Sequence, residues 1–167
     1  PFDADSNPLR SVVKLESQIE QVRTLAAGDA IGYGYNFTAQ APMKVATIPI
    51  GYADGVPRTP AGNREGDPES KPYVLIDGKH KAPLVGATSM DMTTVDVTQV
   101  PAEALSRGTK VTLIGGKITP DHFGAMYDTG ASEALTKLTK RVHIEHCEDP
   151  NVPPPAPSPH ASDNVWR

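Results

Sequence analysis

The sequence has little of several features that point to particular classes of protein. It contains one cysteine, Cys147, so no disulfide can form within the chain, and this scarcity is typical of a reducing compartment. No apolar run approaches the length of a membrane span, and the N-terminal residues lack the charged-then-apolar pattern of a signal peptide. We therefore predict a cytoplasmic protein that does not bind membranes.

The chain also lacks a strong excess of charge of either sign. Lys and Arg number 16 against 20 Asp and Glu, which gives a net charge of −4. This balance gives no reason to expect a nucleic-acid partner. The longest basic cluster, residues 137–141, has the composition of a solvated helix end. A length of 167 residues is sufficient for one domain with its own hydrophobic core.

Short segments with strand patterns occupy the chain up to about Gly116. In residues 13–19 apolar side chains alternate with polar ones, as in a half-buried strand. The pair Asp77-Gly78 predicts a type I′ hairpin turn, because both residues tolerate positive φ angles. Pro49 predicts an edge strand or a bulge where its strand ends. The further predicted strands are 44–50, 73–76, 82–85, 95–97 and 111–114.

Helical patterns occur only in the last part of the chain. Thr119-Pro120 is a typical helix start, with proline at the first helical position, and residues 132–140 can form a second short helix. Regular short strands separated by turns favour a closed or nearly closed barrel. The predicted fold is therefore mainly β, a small closed or nearly closed β-barrel with one or two short C-terminal helices.

Two segments are predicted to lie outside this regular structure. The sequence between Arg58 and Pro72 is polar and rich in glycine and proline, as surface loops are. Residues 149–167 contain a proline-rich stretch that cannot bury apolar surface, and we expect this tail to be disordered. The predicted domain is therefore 1–148.

Three short motifs place polar or sulfur-containing side chains beside glycine or at a strand end. They are Ile-Gly-Tyr-Gly at residues 31–34, Gly-Tyr-Ala-Asp-Gly at residues 51–55 and Ser-Met-Asp-Met at residues 89–92. Glycine lets a backbone approach a ligand at little steric cost. These motifs are therefore the candidate functional sites of the chain.

Each motif also has a purely structural interpretation. Tyr33 can present its hydroxyl to a ligand, or its ring can pack at a strand end. Tyr52 can contact a ligand, or it can belong to a turn that follows a buried strand. Met90 and Asp91 lie on an apparent strand, where methionine is usually core filler, as we expect for Met92. The residues alone leave these alternatives open.

The segment His-Ile-Glu-His-Cys-Glu at residues 143–148 contains potential metal ligands. In a strand, alternate residues point to opposite faces, so His143 and Glu145 would lie on the face opposite His146. The sequence has no second cluster with ligand spacing. We therefore predict no metal site.

The three motifs, in this order, resemble the C-terminal β-domain of the alanine racemase family over about residues 9–142. The resemblance implies a pyridoxal-phosphate amino-acid racemase of fold type III that interconverts L- and D-alanine. It also implies that a lysine on an N-terminal barrel, which this sequence does not contain, holds the cofactor. The chain alone is then expected to hold no cofactor. In the family, the β-domain completes the active site of a second, identical subunit, and the substrate is a small amino acid.

The resemblance also implies roles for particular residues. Tyr33 matches one of the two bases that exchange the Cα proton. Tyr52 matches a tyrosine that narrows the substrate entrance, and Met90 and Asp91 match a pair near the substrate carboxylate. Because an aspartate repels a carboxylate, we expect Asp91 to orient neighbouring groups instead of binding substrate directly. Arg58 continues the second motif, with an ordinary surface arginine as the alternative.

Two positions depart from the family pattern. Ala87 follows Val85-Gly86, where the family usually has arginine. Ser132 stands where a tyrosine usually precedes the glutamate, near the cofactor phosphate and the substrate side chain, and it is our candidate cofactor-binding residue. Serine leaves a space the size of an aromatic ring. Relatives that racemise larger amino acids also have small residues at this position, so the resemblance allows substrates other than alanine. These departures leave a second interpretation open, a non-catalytic dimerisation or binding module that kept the fold.

Overall fold

The computed structural model describes residues 12–58 and 71–147. Almost all of the predicted loop between Arg58 and Pro72 lies outside the described residues, as does the predicted tail at 149–167. The strands are β1 (Leu15–Gln18), β2 (Gln21–Leu25), β3 (Ala30–Ile31), β4 (Phe37–Thr38), β5 (Met43–Ile48), β6 (Tyr73–Ile76), β7 (His80–Pro83), β8 (Thr93–Asp96) and β9 (Lys110–Ile114), and the helices are α1 (Pro120–Met126) and α2 (Ala131–Thr136).

The strands form antiparallel sheets. One sheet has the order β1-β9-β6-β7, a second has the order β2-β5-β8, and β3 pairs with β4 in a small ribbon. In the first sheet Leu15 lies opposite Ile114. In the second sheet Val45 lies opposite Asp96. The two larger sheets together make the wall of the domain.

The wall is nearly closed. On one side β1 runs directly into β2, and the linking residues bond to both sheets: the Ile19 N–H donates to the Thr109 carbonyl at 2.9 Å and the Glu20 N–H to the Thr47 carbonyl at 2.9 Å. On the other side only an isolated bridge between Leu84 and Val95 joins the end of β7 to β8 in the described part of the chain. The nearly closed form of the predicted barrel is therefore confirmed, and the fully closed form is not.

Apolar side chains from both larger sheets fill one core. Leu15 and Ile19 are buried while Glu16 and Gln18 are exposed, so the predicted alternation in β1 is confirmed. Burying such side chains supplies most of the folding free energy, about 1.5–3 kcal/mol for each large aliphatic residue. The largest of the fully buried side chains include Ile19, Ile48, Ile76, Leu113, Ile114 and Ile118.

The predicted edge or bulge at Pro49 is wrong. Strand β5 ends at Ile48, one residue before the proline, and lies between β2 and β8 with regular register on both sides. Proline is tolerated there because the sheet no longer needs its missing N–H. By contrast, the predicted hairpin is confirmed, with Asp77 at φ 52° and Gly78 at φ 65° between β6 and β7.

The two helices cover one end of the core. Helix α1 begins as predicted, with the Thr119 hydroxyl accepting a hydrogen bond from the His122 N–H at 3.1 Å. Helix α2 ends at Thr136, earlier than the predicted 140. The chain then packs against Gly55, where a Cβ atom would lie 2.5 Å from the Lys137 carbonyl oxygen. Neither helix is long and apolar enough to cross a membrane.

Candidate functional site

A cavity of about 440 Å³ lies where the second and third motifs meet. Tyr52, Arg58 and residues 88–92 line it. The Arg58 guanidinium carbon lies 6.0 Å from the centre of the Tyr52 ring, at the outer limit of a cation–π contact. Met90 is 52% exposed and Met92 50%, so neither is core filler and the prediction for Met92 is wrong. The lining combines apolar surface with charges of both signs.

Two backbone hydrogen bonds join the walls of this cavity. The Tyr52 N–H donates to the Ser89 carbonyl and the Ala53 N–H to the Met90 carbonyl, both at 3.0 Å. A Cβ atom at Gly51 would lie 2.3 Å from the Ser89 oxygen, so only glycine fits this close approach. Residues 89–92 are irregular, so the predicted strand there is wrong: the Ser89 and Met90 carbonyls bond to this turn, and the Met92 carbonyl accepts the Ser89 N–H.

Side chains add a second connection between the walls. The residue Asp54 is 8% exposed, and one of its carboxylate oxygens accepts the Gly51 N–H at 2.8 Å. Its other oxygen lies 3.1 Å from Arg141 Nε, and Arg141 Nη2 donates to Asp91 Oδ1 at 2.5 Å. The hydrogen bond to Asp91, together with the charges of both carboxylates, raises the pKa of Arg141 above its usual range.

The first motif reaches the same segment from the other side. Gly32, with φ 83°, precedes a 3₁₀ turn over Tyr33–Tyr35, and Gly34, with φ 76°, lies inside it. The Ala87 N–H donates to the Asn36 side-chain oxygen at 3.4 Å, which places this turn beside residues 86–87. The side chain of Tyr33 lies outside the described part of the structure, so its predicted role stays a prediction.

Thr88 adds a buried polar group to the cavity wall. It is 2% exposed, and its hydroxyl has no hydrogen-bond partner among the described residues. Such an oxygen is costly to leave unpaired unless water or a ligand reaches it. Thr88 also belongs to the lining of the cavity.

The remaining candidates lie outside the cavity. Ser132 is exposed on the first turn of α2 and is not a lining residue. His143 and Glu145 are exposed and irregular instead of in a strand, with 3.7 Å between His143 Nε2 and Glu145 Oε1. In residues 12–58 and 71–147, no three His, Cys, Asp or Glu side chains gather as metal ligands would.

The sequence matches the family model "Alanine racemase, C-terminal domain" over residues 12–146. The chain belongs to the alanine racemase C-terminal domain family. The alanine racemase of Methylobacterium nodulans is 41% identical over 148 residues, which are 89% of this chain and 38% of the relative. The alanine racemase of Rhodospirillum rubrum is 39% identical over 141 residues, 84% of this chain and 35% of the relative.

Solved structures agree with this assignment. The alanine racemase from Bartonella henselae with covalently bound pyridoxal phosphate matches with a TM-score of 0.71 and 39% identity, over 81% of this chain and 35% of that chain. The biosynthetic alanine racemase from Pseudomonas aeruginosa matches with a TM-score of 0.67 and 34% identity, over 77% of this chain and 33% of that chain. The chain therefore spans only a third or slightly more of these alanine racemases, and the predicted family and fold class are confirmed.

Sequence reasoning missed the residues that hold this alanine racemase domain's cavity together. Arg141 was assigned to a solvated helix end, but α2 stops at Thr136 and Arg141 contacts two acidic residues of the motifs. Asp54 was recognised only as part of a turn. The one sequence signal for Asp54 is its place inside a glycine-bounded motif. If such an aspartate is buried, its carboxylate needs a charged partner.

Proposed function

We propose that this chain is the C-terminal part of a pyridoxal-phosphate amino-acid racemase that interconverts L- and D-alanine. Its N-terminal barrel would carry the cofactor, and a second identical subunit would share the active site. The observation that carries this proposal is that residues of the second and third motifs line one cavity, while the turn of the first motif lies beside residues 86–87, next to the same segment. The names of the relatives support the reaction class, and they do not favour a non-catalytic module.

The cofactor would supply an electron sink for the carbanion formed at Cα. A Schiff-base lysine is normally desolvated or placed beside other charges that lower its pKa. Every lysine of this chain is exposed, and none lines the Tyr52 cavity. No lysine of the described residues therefore has the surroundings of a Schiff-base lysine, which supports a cofactor held on another domain. Ser132, exposed at the start of α2, is available to face that domain.

The residues of this chain would then do three things. Tyr33 would take or return the Cα proton on one face of the substrate; a phenol has a pKa near 10, so groups from outside this chain must help it. Tyr52 would narrow the entrance. Met90 would offer apolar contact, while Asp91, paired with Arg141, would orient its neighbours without presenting an uncompensated charge to a substrate carboxylate.

The surface around the cavity supports a shared site. Tyr52, Met90 and Met92 are 39%, 52% and 50% exposed, and aromatic residues and methionine are enriched at protein interfaces. We propose that the identical second subunit and the N-terminal barrel cover this surface. The exposed, unpaired Cys147 is compatible with a cytoplasmic location, which we also propose.

The test is a comparison between the 167-residue chain and the longer enzyme that carries it. We expect the longer enzyme to absorb at about 420 nm with bound cofactor and to racemise alanine, and the chain alone to do neither. Turnover by the chain alone would contradict the proposed division of roles. A longer protein that neither binds cofactor nor racemises any amino acid would favour the non-catalytic module.

A further inference from the structure

Arg141 is the single side chain that touches acidic residues of two different motifs in the described structure. It contacts Asp54 of the Gly-Tyr-Ala-Asp-Gly turn at 3.1 Å and Asp91 of the Ser-Met-Asp-Met segment at 2.5 Å. Asp54 in turn accepts the Gly51 N–H. A continuous polar chain therefore runs from one wall of the cavity to the other through this guanidinium.

The backbone that carries Arg141 is fixed to the same turn. The Thr139 hydroxyl donates to the Ala53 carbonyl at 2.8 Å, and the Thr139 N–H donates to the Asp54 carbonyl at 3.2 Å. The Arg141 N–H donates to the Thr139 hydroxyl at 3.3 Å. The guanidinium thus extends from a base anchored on one wall and reaches across to Asp91 on the other.

We propose that Arg141 is a positioning residue that clamps residues 89–92 against the Tyr52 turn and so holds the substrate entrance in shape. The expected effect on catalysis rests on the proposed racemase function, whereas the existence of the clamp does not. Arg141 does not line the cavity, so it acts through Asp54 and Asp91 instead of through contact with substrate.

The charges explain why arginine suits this position. Without Arg141, the carboxylates of Asp54 and Asp91 would both lie uncompensated beside the cavity, and Asp54 is largely buried, which makes an unpaired charge costly. A guanidinium has several donors in a planar fork and can serve two carboxylates at once, here with Nε and Nη2. Lysine has one point charge and would favour one partner over the other.

The first experiment measures amide hydrogen exchange in the 167-residue chain with Arg141→Ala. We expect the Tyr52 and Ala53 amides, which bond to residues 89 and 90, to exchange roughly tenfold faster, because the clamp restricts local opening. The Val97 amide, bonded to Lys44 in the sheet, should not change.

The matched control is Arg107→Ala. Arg107 also pairs with a carboxylate, that of Glu20, but neither residue lines the cavity. This variant should leave the hydrogen-exchange rates of the Tyr52 and Ala53 amides unchanged. Equal acceleration of all amides in Arg141→Ala would mean general destabilisation, and no acceleration would mean no clamp; either result overturns the proposal.

The second experiment measures steady-state racemisation by the longer enzyme. Arg141→Ala should raise KM for alanine roughly five- to tenfold with kcat within about twofold, and Arg141→Lys should fall between the two. A loss confined to kcat would overturn the proposed positioning role. If the unmodified enzyme does not racemise, the proposed function fails, while the exchange measurement still decides whether the clamp exists.

Discussion

Thr88 and Thr93 are both 2% exposed, but only one of their two hydroxyls has a hydrogen-bond partner among the described residues. The Thr93 hydroxyl donates to the Ile50 carbonyl at 2.7 Å. The Thr88 hydroxyl has no partner in the described ranges 12–58 and 71–147. A buried hydrogen bond stabilises a protein by about 1 kcal/mol net, whereas a buried polar group without a partner costs about 1–3 kcal/mol.

We predict opposite effects for the same substitution at these two positions. Thr93→Val should lower the free energy of unfolding by about 1–3 kcal/mol, because the Ile50 carbonyl loses its donor. Thr88→Val should leave the free energy unchanged or raise it, because valine removes an unpaired oxygen at nearly constant shape. Urea unfolding of both variants measures the difference. A similar loss of stability in both would show that the Thr88 hydroxyl has a partner such as water.

The residue scale also shows which parts of the site could be predicted. Tyr52, Met90 and Asp91 line one cavity, and each was found because it lies in a short local motif. Arg141 contacts Asp91 across 50 positions of sequence and belongs to no motif. Such a contact depends on how the chain leaves α2, which no local pattern of residue types encodes.

Helix α1 ends at an aromatic pair. The rings of Phe123 and Tyr127 lie 5.0 Å apart, and Phe123 is buried in the core. Burial raises the pKa of the Tyr127 phenol, because the ionised form loses its hydration. Because the pKa is raised in the folded protein, the free energy of unfolding depends on pH in the alkaline range.

We predict that the stability of the domain falls at alkaline pH because of Tyr127. Below about pH 10, the pKa of an exposed tyrosine, the phenol is protonated in both the folded and unfolded states. Above it, the unfolded state releases a proton that the folded state retains, so stability is lost as the pH rises. Tyr127→Phe keeps the ring and removes the hydroxyl group that ionises.

The measurement is the urea midpoint of both proteins from about pH 8 to about pH 11. The two midpoints should change together at the lower pH values and separate at the higher ones, with Tyr127→Phe more resistant. Parallel curves throughout would show that Tyr127 ionises equally well in the folded protein.

Among the elements, the strands rich in buried apolar residues were predictable, whether alternating as in β1 or continuous as in β6 and β9, and the mostly exposed β2 was not. Residues 13–19 alternate between apolar and polar side chains at every position but Ser17, and their strand was predicted. Strand β2, Gln21–Leu25, was missed because it has one fully buried side chain, Leu25, and so lacks the alternation of a core strand. Helix α2 was predicted too long because residues 137–140 have no strong helix-breaking signal, and their contacts with residues 53–55 are long-range.

At the scale of the whole molecule, the fold brings together three motifs that are separated along the chain. The sequence predicted a closed or nearly closed β-barrel because short strands and turns recur regularly. It could not predict which seam stays open, since no local pattern marks the bridge between Leu84 and Val95 or the irregular residues 86–92 between them. That same irregular path forms the cavity wall where the motifs meet.

The most direct test of the proposed function is racemisation of each alanine enantiomer in deuterated water by the longer enzyme with Tyr33→Phe. Phenylalanine keeps the ring and loses the hydroxyl that would transfer the proton. We expect kcat to fall by about a hundredfold or more with cofactor absorbance retained, and deuterium incorporation to become unequal for the two enantiomers. Wild-type rates in both directions, with equal deuterium incorporation, would contradict a role for Tyr33 as a base.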